Sequence, residues 1–250
     1  MIILKSQQEI EKMRISNRIV AEALNKIEEV IDVGITTAEL DKIAESVIRK
    51  NGAEPAFKGY RGFPNTLCAS VNEEVVHGIP SQRRLKEGDI VSLDLGVFYE
   101  GYYGDAAITI GVGKIDEKTQ RLLNATREAL FIGIEKVKEG NYLYSISGAI
   151  QRYVEGLGFS VVRAFVGHGI GVSLHEEPQI PNFVPLDKCN GPRLKKGMVL
   201  AIEPMVNMGS SEVCVLDDNW TVVTADRTLS SHFEHTVAIT ENGVKILSQI

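Results

Sequence analysis

The sequence predicts an α+β domain built from two similar halves, and three observations carry that prediction. Two helix-like segments followed by short strand-like runs occur in residues 1–113 and again in 114–250. Lys86-Glu87-Gly88-Asp89-Ile90-Val91-Ser92-Leu93-Asp94 and Lys195-Lys196-Gly197-Met198-Val199-Leu200-Ala201-Ile202-Glu203 share one pattern, offset by 109 residues from Gly88 to Gly197 and from Asp94 to Glu203. Each has a basic, glycine-marked turn, a mainly apolar run and a lone carboxylate. No low-complexity linker separates the halves, and strands that follow helices in blocks belong to α+β architecture. Residues 1–250 are therefore expected to form a single domain.

The elements follow in order. Ser6 with Glu9 is a capping-box pattern, and Ile10, Met13, Ile19, Val20, Leu24, Ile27 and Ile31 recur behind it at helical spacing. Thr36 with Glu39 repeats the signal before Leu40, Ile43, Ala44, Val47 and Ile48, and Asn51-Gly52 ends that second helix. Residues 65–112 switch to short runs rich in Val, Ile and Tyr, punctuated by glycines, which predicts strands. A third helix over 117–138 presents Leu122, Leu123, Ala129, Leu130, Ile134 and Val137. A fourth follows Asn141, carries Ile146, Ile150, Tyr153 and Val154, and stops near Gly156 and Gly158. Residues 159–250 return to strands.

Composition bounds the function. A hydrophobic content of 44% supplies a full core. A net charge of −6, without a basic run or stripe, argues against nucleic-acid binding. Cys68, Cys189 and Cys214 are widely spaced and form no Cys-x-x-Cys pair, so neither a disulfide framework nor a zinc finger is implied, and a reducing cytoplasm is the expected home. Met1-Ile2-Ile3-Leu4-Lys5 is too short for a signal peptide, and no apolar run is long enough to span a bilayer.

The carboxylates carry the chemistry. Asp94 falls on a predicted strand Ile90–Phe98 and Asp105 on Tyr102–Ile110, with Tyr99-Glu100-Gly101 supplying the turn. Side chains alternate along strands, so an even loop puts both aspartates on one face, and the tightest register sets them directly opposite. Like charges so placed repel, which asks for a cation. On the hairpin alone, two solvated acids are the simpler reading. The second half changes the balance. Glu203 ends an apolar run, Glu234 opens His232-Phe233-Glu234-His235-Thr236-Val237-Ala238-Ile239, and His168 lies in Val166-Gly167-His168-Gly169-Ile170-Gly171. A lone histidine of that kind is more often structural. Four carboxylates and one imidazole in apolar strand contexts, however, fit two divalent ions, which also supply a nucleophile at neutral pH. His77 and His175 are left over, either as substrate-contacting groups or as ordinary satisfied histidines.

At these residues the chain resembles type I methionine aminopeptidases of the pita-bread metallopeptidases, over about residues 6–248. The marks are Asn72-Glu73-Glu74-Val75-Val76-His77-Gly78-Ile79-Pro80, Tyr103-Gly104-Asp105, Gly167-His168-Gly169-Ile170-Gly171, His175-Glu176-Glu177-Pro178, Ile202-Glu203-Pro204-Met205 and Phe233-Glu234-His235-Thr236. The resemblance implies the pita-bread fold, a central curved sheet with helices on its outer face. It also implies release of N-terminal methionine by a pair of divalent ions (Co, Mn, Fe or Zn). Asp94 then holds one metal only, Asp105 and Glu234 bridge, and His168 and Glu203 hold the other, Glu203 also handling the proton of the attacking water. His77 falls near the scissile nitrogen and His175 near the carbonyl oxygen. Phe57, Tyr60, Phe63, Cys68 and Trp220 match an aromatic and sulfur-lined methionine slot, though such aromatics are by themselves ordinary core.

Three positions depart from the pattern. Leu174 stands where many relatives have an aromatic, Phe63 replaces a common tyrosine, and Gly96 occupies a place where some relatives carry threonine. The resemblance further implies nascent chains and N-terminal methionyl peptides as substrates, small second residues, a monomer, and transient contact with the ribosome. The alternatives are a proline-directed aminopeptidase, whose relatives carry an extra N-terminal domain, and a non-catalytic binding module, which should have lost ligands.

Overall fold

The computed structural model describes residues 1–186 and 190–249, so Cys189 lies outside the described residues. Among these the chain forms four α-helices: α1 Gln7–Glu28, α2 Thr37–Lys50, α3 Glu117–Ile134 and α4 Tyr144–Gly156. Both expected capping boxes are made. Ser6 Oγ accepts from Glu9 N at 3.3 Å while Glu9 Oε2 accepts from Ser6 N at 2.8 Å, and Thr36 and Glu39 repeat the exchange at 3.2 and 2.8 Å. The helix ends come earlier than the apolar periodicity suggests. Past α1 the chain turns so that Gly34 N reaches Leu85 O at 2.7 Å, and past α3 Lys136 N folds back on Gly133 O at 3.0 Å. α4 starts at Tyr144, because the Asn141 side chain bonds Lys136 O at 2.9 Å instead of capping the helix.

One antiparallel sheet positions everything else. Its main path runs Glu54–Pro55, Ile90–Tyr99, Tyr102–Gly111, Glu234–Thr240, Val199–Ile202, Val166–Gly169 and Glu176–Pro181. Leu67–Val71 adds to Ile90–Tyr99, and Gly243–Ile246 adds to Glu234–Thr240. Alternation sorts its faces. Val91, Leu93, Leu95 and Val97 pack against Ile19, Val20, Leu24 and Ile27 of α1 and Leu40 and Ile48 of α2. Leu200, Ile202, Val237 and Ile239 pack against Leu122 and Leu130 of α3 and Ile146 and Ile150 of α4. Each such side chain contributes about 1.5–3 kcal/mol on burial, so this face is committed to the core. The intervening residues are left for the opposite face.

The Ile90–Tyr99/Tyr102–Gly111 hairpin closes through a two-residue turn, Glu100-Gly101, with φ of 46° and 88°. Tyr99 pairs with Tyr102, which sets Asp94 opposite Ala107 and Asp105 opposite Gly96. The aspartates share a face as expected, but they are not directly opposite. The turn is centred one residue later than the tightest register requires, which slides them two positions apart. Between Tyr102–Gly111 and Glu234–Thr240 the ladder is short, Glu234 pairing with Ala107 and His235 with Ala106. Beyond those pairs Thr109 Oγ1 stands in for the ladder, donating to His232 O at 2.7 Å and accepting from His232 N at 2.9 Å. No described helix is long and apolar enough to cross a membrane.

Candidate active site

Register alone brings the predicted residues together. Asp94, Ala107 and Glu234 lie in one cross-strand row, and Glu203 continues it just past the His235–Ile202 pair. Two positions along, Gly96 pairs with Asp105, and Ala201 pairs with His168. Rows two residues apart share a face, so four carboxylates and one imidazole converge there. The residues between them are small: Gly96, Ala107 and Ala201. Glycines flank His168 because neighbouring backbone is too near for side chains. A Cβ on Gly167 would lie 2.4 Å from Ala201 O, and one on Gly169 2.3 Å from Glu177 O.

One donor atom each from Asp105, His168 and Glu234 lies within 4.8 Å of the other two. His168 Nε2 is 3.8 Å from Asp105 Oδ2 and 3.6 Å from Glu203 Oε1. His168 Nδ1 donates to Gly169 O at 2.9 Å, and burial keeps the ring neutral. Nε2 therefore presents a lone pair to the carboxylates, the tautomer a metal ligand needs. Burial pushes Asp94 up to about 7. Burial, joined by their mutual charge, holds Asp105, Glu203 and Glu234 well above the ordinary carboxylate range.

Among the described residues no lysine or arginine pairs with any of these four acids, and Asp94 Oδ1, Asp105 Oδ1 and Glu234 Oε1 have no hydrogen-bond partner in the protein. Buried oxygens of this kind are costly unless compensated. A hard oxygen set with one imidazole fits divalent cations of the Mn, Fe, Co or Zn type.

Both remaining histidines face the same cavity, of about 280 Å³, together with all five donors. His175 Nδ1 lies 2.8 Å from Tyr60 Oη, with the rings stacked at 5.3 Å. Its ring centroid is 4.3 Å from that of His168. Burial, then the neighbouring His168 and the Arg61 guanidinium, pulls His175 down to about 3, so it is neutral at physiological pH. His77 holds a left-handed φ of 61° and meets Phe165 and Trp220 edge-on at 5.5 and 6.2 Å. Burial lowers its pKa also.

Phe57, Tyr60, Phe63, Cys68 and Trp220 all line the cavity. Phe63 meets Trp220 edge-on at 5.2 Å, and Cys68 pairs in register with Asp94. The Phe57 ring explains Gly96, since a Cβ there would come within 2.5 Å of it. Leu174 is buried in the wall.

Sequence reasoning passed over two residues. His232 is 1% exposed, its ring nitrogens lack partners, and Nε2 lies 3.8 Å from Glu203 Oε2. Its place two residues before Glu234 was the available signal. Arg61 is the other, in the tight turn Tyr60–Gly62 with its Cζ 5.3 Å from the Tyr60 ring centroid.

Residues 11–241 match metallopeptidase family M24. The methionine aminopeptidase of Clostridium perfringens is 56% identical over 250 residues, covering all of both chains. The crystal structure of methionine aminopeptidase from Thermotoga maritima superposes with a TM-score of 0.97 at 48% identity, again over all of both chains. A prolidase from Pyrococcus furiosus superposes at 0.79 with 28% identity, 99% of this chain covering 66% of that one. The expected pita-bread architecture is thereby borne out.

Proposed function

The chain belongs to metallopeptidase family M24, among its methionine aminopeptidases, and from that premise we propose that it removes N-terminal methionine by dinuclear-metal hydrolysis. The observation that carries the reading is convergence. Five metal donors, two neutral histidines and an aromatic slot with one thiol line a single cavity. In this reading Asp94 would hold one ion, Asp105 and Glu234 would serve both, and His168 and Glu203 would hold the other. Bound there, two divalent ions offset the carboxylate charge, polarise the substrate carbonyl and supply an acidic water at neutral pH.

The protein's own groups do the rest. Glu203, beside that water, would take its proton as general base. When Tyr60 Oη donates to His175 Nδ1, the neutral ring keeps its proton on Nε2 and donates it to the carbonyl oxygen as that oxygen gains charge. His77, also neutral, bonds the scissile nitrogen. Phe57, Tyr60, Phe63, Cys68 and Trp220 enclose the thioether, where sulfur–aromatic contacts add modest affinity. A slot of this kind rejects a side chain one methylene different by only about 1–3 kcal/mol, so near-isosteres are cut slowly.

The substrates are then nascent or newly made chains with a small second residue. The enzyme is one catalytic domain of two halves, acting as a cytoplasmic monomer in transient contact with the ribosome. The prolidase likeness offers a second reading, but at 28% identity against 56% for the methionine aminopeptidase. Chelation followed by add-back of Mn, Fe, Co or Zn against Met-Ala, Leu-Ala, acetyl-Met-Ala and Ala-Pro peptides tests the proposal. Activity should vanish and return, with Met-Ala cut far faster than the others. Chelator-resistant turnover, or equal rates on Leu-Ala or Ala-Pro, would overturn it.

A further inference from the structure

We infer that Arg61 reads a carboxylate on the substrate two to four residues from its amino end, making acidic N-terminal segments preferred substrates. The inference rests on the reading above for where the first residue sits, and it extends that reading to the part of the peptide outside the methionine slot.

Arg61 is the one lysine or arginine among the described residues that line the cavity. Of the four acids, Asp105 and Glu234 are 3% and 2% exposed and Asp94 and Glu203 are half-buried, whereas Arg61 is exposed at the cavity's edge. Its guanidinium makes no ion pair or hydrogen bond among the described residues, unlike Arg14, Arg49 and Arg83, each of which holds a glutamate. Its place is fixed by the backbone: φ is 50° at Arg61, between 88° at Gly59 and 92° at Gly62. Such a left-handed stretch is unfavourable for a residue with a side chain. The tight turn lifts the guanidinium over the Tyr60 ring, a cation–π arrangement that holds it without neutralising it.

Distance then sets which part of the substrate it meets. His175 stacks on Tyr60 at 5.3 Å between centroids, and Arg61 Cζ lies 5.3 Å from the same Tyr60 centroid. Arg61 is therefore at most about 11 Å from the imidazole that faces the reacting carbonyl. An extended peptide advances about 3.3 Å per residue. Allowing for side-chain length, the guanidinium meets residues two to four. Arginine binds carboxylate through a planar, always-charged fork, and exposed pairs of this type are worth up to about fivefold in affinity.

The test uses amidated Met-Ala-Xaa-Ala peptides with Xaa as Glu, Gln or Lys, plus Met-Ala-Ala with a free or an amidated carboxyl terminus. The fully metal-loaded enzyme should show kcat/KM for Glu about three- to fivefold above Gln, and Lys below both. The difference should sit in KM, since it comes from uniform binding, and should shrink in 0.5 M salt. R61Q should bring Glu down to the level of Gln, and R61K should keep part of the preference. A free carboxyl terminus should mimic Glu if reach rather than side-chain identity matters.

Equal KM for Glu and Gln with the parent enzyme would overturn the inference while leaving methionine removal standing. So would R61Q lowering kcat on all three peptides alike, which would make Arg61 a prop for Tyr60 and His175. No turnover of any Met peptide would instead defeat the reading on which the inference rests.

Discussion

Asp105 is 3% exposed, sits two residues from the hairpin partner of Asp94, and points one unpartnered oxygen into the cluster. An isosteric amide there removes one charge and one donor position. Asp105→Asn is expected to lose metal in calorimetric titration and at least about 100-fold in turnover; full activity would refute its bridging role. His175→Ala leaves the five donors in place, so metal affinity should persist while kcat falls about 10²–10³-fold with little change in KM. The split between those readouts separates a ligand from an oxyanion donor. Residues of this kind were legible because each carboxylate lies within an apolar strand or at its end, a costly place for an unneeded charge. His232 and Arg61 were not. A histidine beside a glutamate reads as one more strand residue until the fold turns it on Glu203, and an arginine between glycines reads as a surface turn.

At the scale of elements, segments distant in sequence are locked by few contacts. Lys5, in the strand-like lead to α1, forms a buried ion pair with Glu176, their side chains 3% and 5% exposed. Glu176 also accepts from Ser173 N and immediately follows His175, so the N-terminal lead and the histidine loop are one unit. Lys5→Met leaves a buried carboxylate uncompensated and should cost about 3–5 kcal/mol in urea unfolding, with kcat falling through the displaced loop. The double variant with Glu176→Gln should recover most of the stability; no recovery would mean the lysine stem, not its charge, is what matters. Helix starts were readable from Ser6 and Thr36 because a cap is local chemistry. Helix ends, and the slide of Asp94 relative to Asp105, were not, since they depend on a turn register and on carbonyls such as Leu85 O far along the chain.

Across the whole molecule, the glycines of the two Lys-x-Gly turns hold the same left-handed conformation, with φ of 89° at Gly88 and 88° at Gly197. The sheet is tied at its centre by the Glu234–Ala107 and His235–Ala106 pairs, directly beneath four acids whose proton affinity burial has raised. In chelated protein those acids bind protons in the folded state that the unfolded chain releases, so stability should rise as pH falls from about 7, the value for Asp94, toward the ordinary carboxylate range. With metal restored the slope should reverse, because protons then compete with the ions. Thermal melts at pH 5, 6 and 7 with and without chelator check both signs, and parallel slopes would defeat the account. The cavity itself has one more consequence. A recess of about 280 Å³ walled in part by aromatics is on the scale of one chain end, so, on the proposed reading, a terminus already tucked into a finished globule should be a poor substrate. If so, an unfolded client should be trimmed faster than the same client folded around its leading end, which a comparison of the two rates checks.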